Sequence, residues 1–186
     1  MTAITDANIA ILATNGFEKS ELFEPKRQLE AAGATVTVVS PESGSIKSWD
    51  EKDWGESVAV DLSLDQADVR KFDALVLPGG QINPDLLRVN ENAVGFVRDF
   101  FHTGKPLAAI CHAPWLLIEA GVIEGCHVTS YGSIKTDVKN AGGKWEDSEV
   151  VVDQALITSR SPADLDAFCA KIIEEVEEGR HSRKVA

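Results

Sequence analysis

The sequence predicts an α/β domain built on a mainly parallel sheet with helices on both faces. Three observations lead there. Short apolar or β-branched runs alternate with amphipathic stretches along the whole chain. Several of those runs end in loops rich in glycine or small residues, as strand-to-helix connections do. No repeat, low-complexity tract or linker interrupts the alternation, so residues 1–179 read as one domain and 180–186, of mixed charge and without apolar periodicity, as a flexible tail.

The elements follow in order. "NIAILAT" (8–14) is a buried strand, and "KSELFEPKRQLEAAG" (19–33) a helix closed by Gly33, with Pro25 expected to kink it. "TVTVVS" (35–40) is a β-branched strand, and the polar stretch with Trp49 and Trp54 leads into "SVAVDLS", a β-excursion or hairpin. "DALVLPGG" (73–80) is a strand running into a glycine pair, followed by the helix "NENAVGFVRDFFHTG" (90–104). "KPLAAIC" is the next strand and "APWLLIEAG" the next helix, with Pro114 in its first turn. "HVTS" is a short strand, "SIKTDVKNAGG" a helix, and "EVVVDQALITS" one or two strands. Ser161 as N-cap, Pro162 at N1 and Asp164 at N3 open the last helix, whose Leu165, Phe168, Ile172 and Val176 form one apolar stripe.

Composition narrows the function. Hydrophobic residues make up 44% and charged residues 26% of the 186, a balance that supports a folded core without metal or disulfide staples. The formal net charge of -12 argues against a nucleic-acid partner, whose affinity comes from neutralised phosphates. The first apolar run is too short for a signal or a membrane span and has no basic segment before it, so a cytoplasmic protein is expected. Cys111, Cys126 and Cys169 are too few and too widely spaced for a disulfide framework.

In parallel sheets, ligands bind outside the carboxyl ends of the strands. Four strand ends carry unusual loop residues: Gly16-Phe17-Glu18, Gly79-Gly80, Cys111-His112 and Ser130-Tyr131. All four are expected on one edge. Cys111 has two readings, a small core residue after "LAAI" or a nucleophile on a sharp strand-to-helix turn. The second needs small residues two positions either side, and Ala109 and Ala113 stand there. The helix that follows would favour the thiolate, and His112 would be the base that pairs with it. The glycine pair is either a tight turn or half of an oxyanion hole completed by the His112 N–H. Glu18 is either an exposed helix-start acid or a protonated carboxyl bonded to the sulfur. Cys126-His127 repeats the Cys111-His112 dipeptide, but adjacent ligands on two distant segments fit zinc poorly, so no metal is expected. The chain lacks a phosphate- or dinucleotide-binding glycine motif, and no cofactor is expected.

"NGFEKSE", "FDALVLPGG", "AICHAPWLLI", "TSYGSIKTDVKNAGGKWEDSEVVVD" and "LITSRSPADLDAF", in this order and spacing, resemble the PfpI/ThiJ family of the class I glutamine amidotransferase-like superfamily. The resemblance implies a flavodoxin-like three-layer sandwich with the nucleophile Cys111 on an elbow. It implies His112 as its partner, Glu18 as the acid bonded to the sulfur, and Gly80 and His112 as the oxyanion hole. Gly79, Trp115 and Tyr131 are expected to line the pocket. The family's third acid, supplied by a neighbouring subunit, falls on Asp85, so a homodimer or higher homo-oligomer is expected. Three positions depart from the family pattern: Cys-His-Ala-Pro replaces Cys-His-Gly-Pro, Trp115 stands where a smaller polar residue is common, and Asp85, on a segment one residue longer, replaces a glutamate. The function implied is that of a stress-response cysteine hydrolase, a protease or a deglycase or glyoxalase acting on a peptide or a small carbonyl adduct. The alternative is a non-enzymatic redox sensor or stress chaperone working through oxidation of Cys111.

Overall fold

The computed structural model describes residues 2–181. The chain runs β1 (Asn8–Leu12), β2 (Phe17–Glu18), α1 (Lys19–Ala31), β3 (Thr35–Ser40), β4 (Ser45–Asp50), β5 (Asp53–Ala59) and β6 (Leu62–Ser63). It continues with β7 (Ala74–Leu77), α2 (Ile82–Leu87), α3 (Glu91–His102), β8 (Leu107–Ile110), α4 (Pro114–Glu119) and β9 (His127–Val128). The last elements are α5 (Lys135–Asn140), β10 (Lys144–Trp145), β11 (Val150–Asp153), β12 (Leu156–Ser159) and α6 (Leu165–Glu178).

Seven strands form the main sheet in the order β11-β12-β8-β7-β1-β3-β6. Every pairing is parallel except that of β11 with β12, which a tight turn through Gln154 and Ala155, both at positive φ, folds into a hairpin. Alternation along β1 shows why the sheet is buried on both faces. Ala10 and Leu12 pack with α3, α4 and α5, while Ile9 and Ile11 pack with α1 and α6. The result is the expected α/β sandwich of helices on either side of a mainly parallel sheet.

Several local expectations need correction. Pro25 lies inside an unbroken α1, on the buried face with Leu22 and Leu29; packing of that face holds the helix together despite the N–H that proline lacks. Ser161 makes no side-chain cap. A 3-10 turn over Pro162–Asp164 precedes α6, and the Asp164 carboxylate instead accepts from the Arg160 backbone N–H at 3.1 Å and from its guanidinium. α2, which carries Asp85, was not foreseen. Of the expected tail, His181 is docked through a 3.0 Å bond from its N–H to the Gly104 carbonyl, and residues 182–186 lie outside the described residues.

The β4–β5 hairpin stands off the main sheet and pairs with β2, placing Trp49 opposite Glu18 in register. Its register shifts between Lys47 and Trp49, and its outer end lines the same cavity as Gly80 and Cys111, just past the ends of β7 and β8.

Candidate functional site

Cys111 lies just past the end of β8 with φ at 64°. An L-residue adopts this conformation only at a cost, and the surroundings over-determine it. Its N–H donates to the Ser159 carbonyl at 3.0 Å, and its carbonyl accepts from the Tyr131 N–H at 2.8 Å. Ala109 and Ala113, both fully buried, leave the turn uncrowded. The strained turn lets two successive side chains serve one site: Cys111 Sγ is 3.1 Å from His112 Nδ1.

The other imidazole nitrogen, Nε2, is 3.0 Å from Ser133 Oγ. If Nδ1 accepts from the thiol, Nε2 carries the hydrogen and donates to Ser133, which fixes the tautomer. The ring stacks on Tyr131 at 4.7 Å and meets Trp115 edge-on at 5.2 Å. Burial lowers the His112 pKa, which keeps the imidazole neutral and able to take a proton at pH 7.

The acid beside the sulfur is Glu21, and this corrects the expectation for Glu18. Glu21 is fully buried on the first turn of α1. Its Oε2 accepts from the Gly79 N–H at 2.8 Å, and its carboxyl interacts with the Cys111 thiol. Oε1 has no hydrogen-bond partner, which a neutral carboxyl tolerates better than an ionised one. Burial is the main cause that pushes the Glu21 pKa up to about 8, so the carboxyl is protonated at pH 7. Glu18 sits one turn earlier at the cavity mouth, half-buried, raised first by desolvation and next by the neighbouring Asp50.

Burial also pushes the Cys111 thiol up, and an ionised Glu21 adds to that, while the backbone N–H groups of Gly80 and His112 pull it down. A proton on Glu21 removes the repulsion and supplies a donor to the thiolate. The short α4, only six residues long, contributes less to the thiolate than these direct donors do. The Gly80 and His112 N–H groups converge on the sulfur, beside any oxyanion that forms on a carbon attacked by it.

The glycine pair has a steric cause. A Cβ on Gly79 would lie 2.6 Å from Glu21 Oε2 and 2.7 Å from both Cys111 Cβ and the Ile110 carbonyl. One on Gly80, at φ 80°, would lie 2.8 Å from the Glu18 nitrogen and the Gly16 carbonyl. Asn83 holds this loop in place: its amide nitrogen donates to the Pro78 carbonyl at 2.8 Å, and its oxygen accepts from the Thr14 N–H at 2.7 Å.

These groups face a cavity of about 400 Å³ that includes Glu18, Trp49, Glu51, Gly80, Cys111 and Tyr131 in its wall. Gly79 and Trp115, expected in the lining, are not part of it. Gly79 is packed between Glu21 and Cys111, and Trp115 lies behind His112, where its indole N–H donates to Asp137 at 2.9 Å and the Arg88 guanidinium covers its ring. Asp85 is exposed on α2 and ion-paired with Arg88, with no hydrogen bond to His112 of its own chain. Cys126 and His127 do not join the site: Cys126 Sγ meets the Val122 carbonyl, and the His127 N–H donates to Asp153. Sequence reasoning missed Glu21, Asn83 and Ser133. The one signal for Glu21 was its spacing, four and eight residues before the buried Pro25 and Leu29.

The chain is 47% identical over 161 residues to "Protein/nucleic acid deglycase 2" of Escherichia coli, covering 86% of this chain and 92% of the relative. It is 45% identical to "Deglycase PfpI" of Pyrococcus furiosus, covering 89% of this chain and 97% of that protein. Its structure superposes with a TM-score of 0.87 and 36% identity on a two-domain protein from Anabaena variabilis containing DJ-1/ThiJ/PfpI-like and ferritin-like domains. That match covers 92% of this chain and 48%, about half, of the other. The DJ-1/PfpI family pattern matches residues 7–175, so the elbow cysteine, the glycine pair and the buried glutamate all stand within it, and the chain belongs to the DJ-1/PfpI family.

Proposed function

We propose that the protein is a cysteine-dependent hydrolase that removes dicarbonyl-derived adducts from amino, guanidino or thiol groups, a deglycase. The observation that carries this reading is the strained Cys111, its sulfur 3.1 Å from a neutral imidazole at the base of an open cavity. The deglycase names of relatives at 45–47% identity support it.

The chemistry balances without an outside oxidant. His112 takes the thiol proton, and the thiolate displaces the adducted nitrogen or sulfur from the hydroxyl-bearing carbon. The leaving group departs with that proton, and the fragment remains on Cys111 as a thiohemiacetal. A hydrogen shift between the two carbons of the fragment converts this to a thioester, one carbon being oxidised as its neighbour is reduced. Water then cleaves the thioester to a hydroxy acid and restores the thiol. The Gly80 and His112 N–H groups would hold the oxyanion formed when water attacks. Asp85 is assigned to the His112 of a neighbouring subunit in a homodimer, which its exposed position on α2 allows. A reducing compartment such as the cytoplasm, which keeps a reactive thiol like Cys111 reduced, fits this chemistry.

The test follows the release of the free guanidino group or thiol from methylglyoxal-treated N-acetylarginine and N-acetylcysteine, with a fluorogenic peptide alongside. Wild type should release both, and Cys111→Ser neither. No release by the wild type would overturn the reading and leave Cys111 as a redox-reactive thiol without turnover.

A further inference from the structure

The cavity wall contains carboxylates and rings but, among the described residues, no lysine or arginine. Glu18, Glu51 and the indole of Trp49 line the same cavity, and Glu51 lies close enough to oppose ionisation of Glu18. Trp49 and Glu51 are presented together. Glu51 sits at the outer turn of the β4–β5 hairpin with φ at 54°, and its carbonyl accepts from the Trp49 indole N–H at 3.2 Å. Trp49 in turn is braced edge-on against Trp54 at 5.6 Å and paired in register with Glu18. Asp50 adds a further acid behind this rim; Lys19 is bonded to Asp50 and Glu56, and the exposed Lys52 follows Glu51 in the hairpin turn but is not part of the cavity lining.

We propose that this rim selects cationic adducts, above all those carried on a guanidino group, and disfavours adducts on anionic molecules such as nucleotides. An adduct on a guanidino group keeps its positive charge. A planar guanidinium can lie on the Trp49 face while its N–H groups meet the Glu18 and Glu51 carboxylates, a combination that an ammonium satisfies less fully. A phosphate brought to the same rim meets the Glu18 and Glu51 carboxylates and no lysine or arginine in the lining to neutralise it. Burial, and after it the neighbouring Asp50, raise the Glu18 pKa. A bound cation would act against that rise.

The inference rests on the deglycase reading for its substrate, but the selectivity of the mouth is measurable without turnover. Using protein with Cys126 and Cys169 replaced by serine, Cys111 would be labelled with two methanethiosulfonates. One carries a trimethylammonium and the other a sulfonate, each giving a mixed disulfide and methanesulfinate. The ratio of their rates, divided by the same ratio for a small free thiol, should be roughly tenfold or more in favour of the cation at low salt and should fall as salt rises. Glu51→Gln, an exposed change that leaves the fold intact, should cut the ratio several-fold, and Glu18→Gln should do the same. A normalised ratio near unity, or one unmoved by both substitutions, overturns the proposal.

The companion measurement compares kcat/KM for methylglyoxal adducts of Nα-acetylarginine amide and of guanosine monophosphate. The arginine adduct should be favoured at least tenfold, with Glu51→Gln raising its KM more than it lowers kcat. Equal kcat/KM values overturn the selectivity while leaving the deglycase reading in place. No turnover of either adduct, with the reagent ratio retained, overturns the deglycase reading and leaves the cation selectivity standing.

Discussion

The Glu21 carboxyl and the Cys111 thiol meet over the backbone of Gly79: Oε2 takes the Gly79 N–H at 2.8 Å, and an added Cβ would strike the two residues together. Because burial holds Glu21 near pKa 8, the carboxyl arrives at the thiolate as a proton donor at neutral pH.

Replacing that donor should therefore weaken the thiolate. In protein with serine at positions 126 and 169, Glu21→Gln should raise the Cys111 pKa modestly and Glu21→Leu further, read by thiolate absorbance against pH. Glu18→Gln removes a negative charge from the mouth without touching the sulfur, so it should shift the curve slightly the other way. A larger upward shift from Glu18→Gln than from Glu21→Leu would reverse the two assignments.

Glu21 also makes folding pH-dependent. In the unfolded chain the carboxyl ionises near its ordinary value of 4.5, whereas in the folded protein it holds its proton until about pH 8. Between those values the folded state binds more protons, so its stability must fall as pH rises through the window. Glu21→Gln keeps an acceptor for Gly79 but cannot ionise. Its stability relative to wild type should increase from pH 4.5 to 8, by an amount on the order of a few kcal/mol, checked by urea unfolding at several pH values. A constant difference across that range would show that Glu21 is ionised in the fold.

Ser133 acts through His112 and is a positioning residue. Ser133→Ala removes the partner of Nε2 and frees the tautomer, so kcat should fall about tenfold, the equivalent of one hydrogen bond, with KM little changed. The acid limb of the wild-type rate profile should lie below the ordinary histidine range near 6.5, because burial lowers the His112 pKa. Equal falls in Ser133→Ala and in a thermally matched surface variant would reduce Ser133 to a structural role.

The assignment of Asp85 depends on assembly. Light scattering at micromolar concentration should give at least a dimer, and Asp85→Asn should lower turnover while leaving the rate of Cys111 alkylation unchanged. A monomer that turns over substrate at full rate removes Asp85 from the mechanism.

Two glycines should respond in opposite directions to the same added methyl. Gly79→Ala drives a Cβ to within 2.7 Å of the Ile110 carbonyl and should cost several kcal/mol or prevent folding. Gly95, inside α3 with nothing within 4 Å, should gain up to about 1 kcal/mol as alanine. Thermal unfolding of the two proteins distinguishes a glycine required by packing from one that is merely tolerated.

The sequence by itself determined the order of the main strands and helices and the edge on which the site forms. Hydrophobic periodicity is a local signal: "TVTVVS" became β3 at residues 35–40, and the Ala109-x-Cys111-x-Ala113 spacing marked the turn that the structure places at φ 64°. Short elements were less legible. α2 has only six residues, with Pro84 within it, and its amphipathic signal is too brief to read.

Only the tertiary structure decided which acid meets the sulfur. Glu18 and Glu21 lie three residues apart, nearly one helical turn, and their fates depend on where α1 begins and how it packs on the sheet. Glu21 bonds to a loop 58 residues away and Asn83 to one 69 residues away, and neither contact has a counterpart in neighbouring sequence. The hairpin that brings Trp49 and Glu51 to the cavity reads in sequence as a polar stretch before a β-excursion or hairpin over "SVAVDLS", whereas its strands stand at Ser45–Asp50 and Asp53–Ala59. Periodicity records which face of an element is buried, whereas a site is made where the ends of several elements meet, and those distances are set by packing.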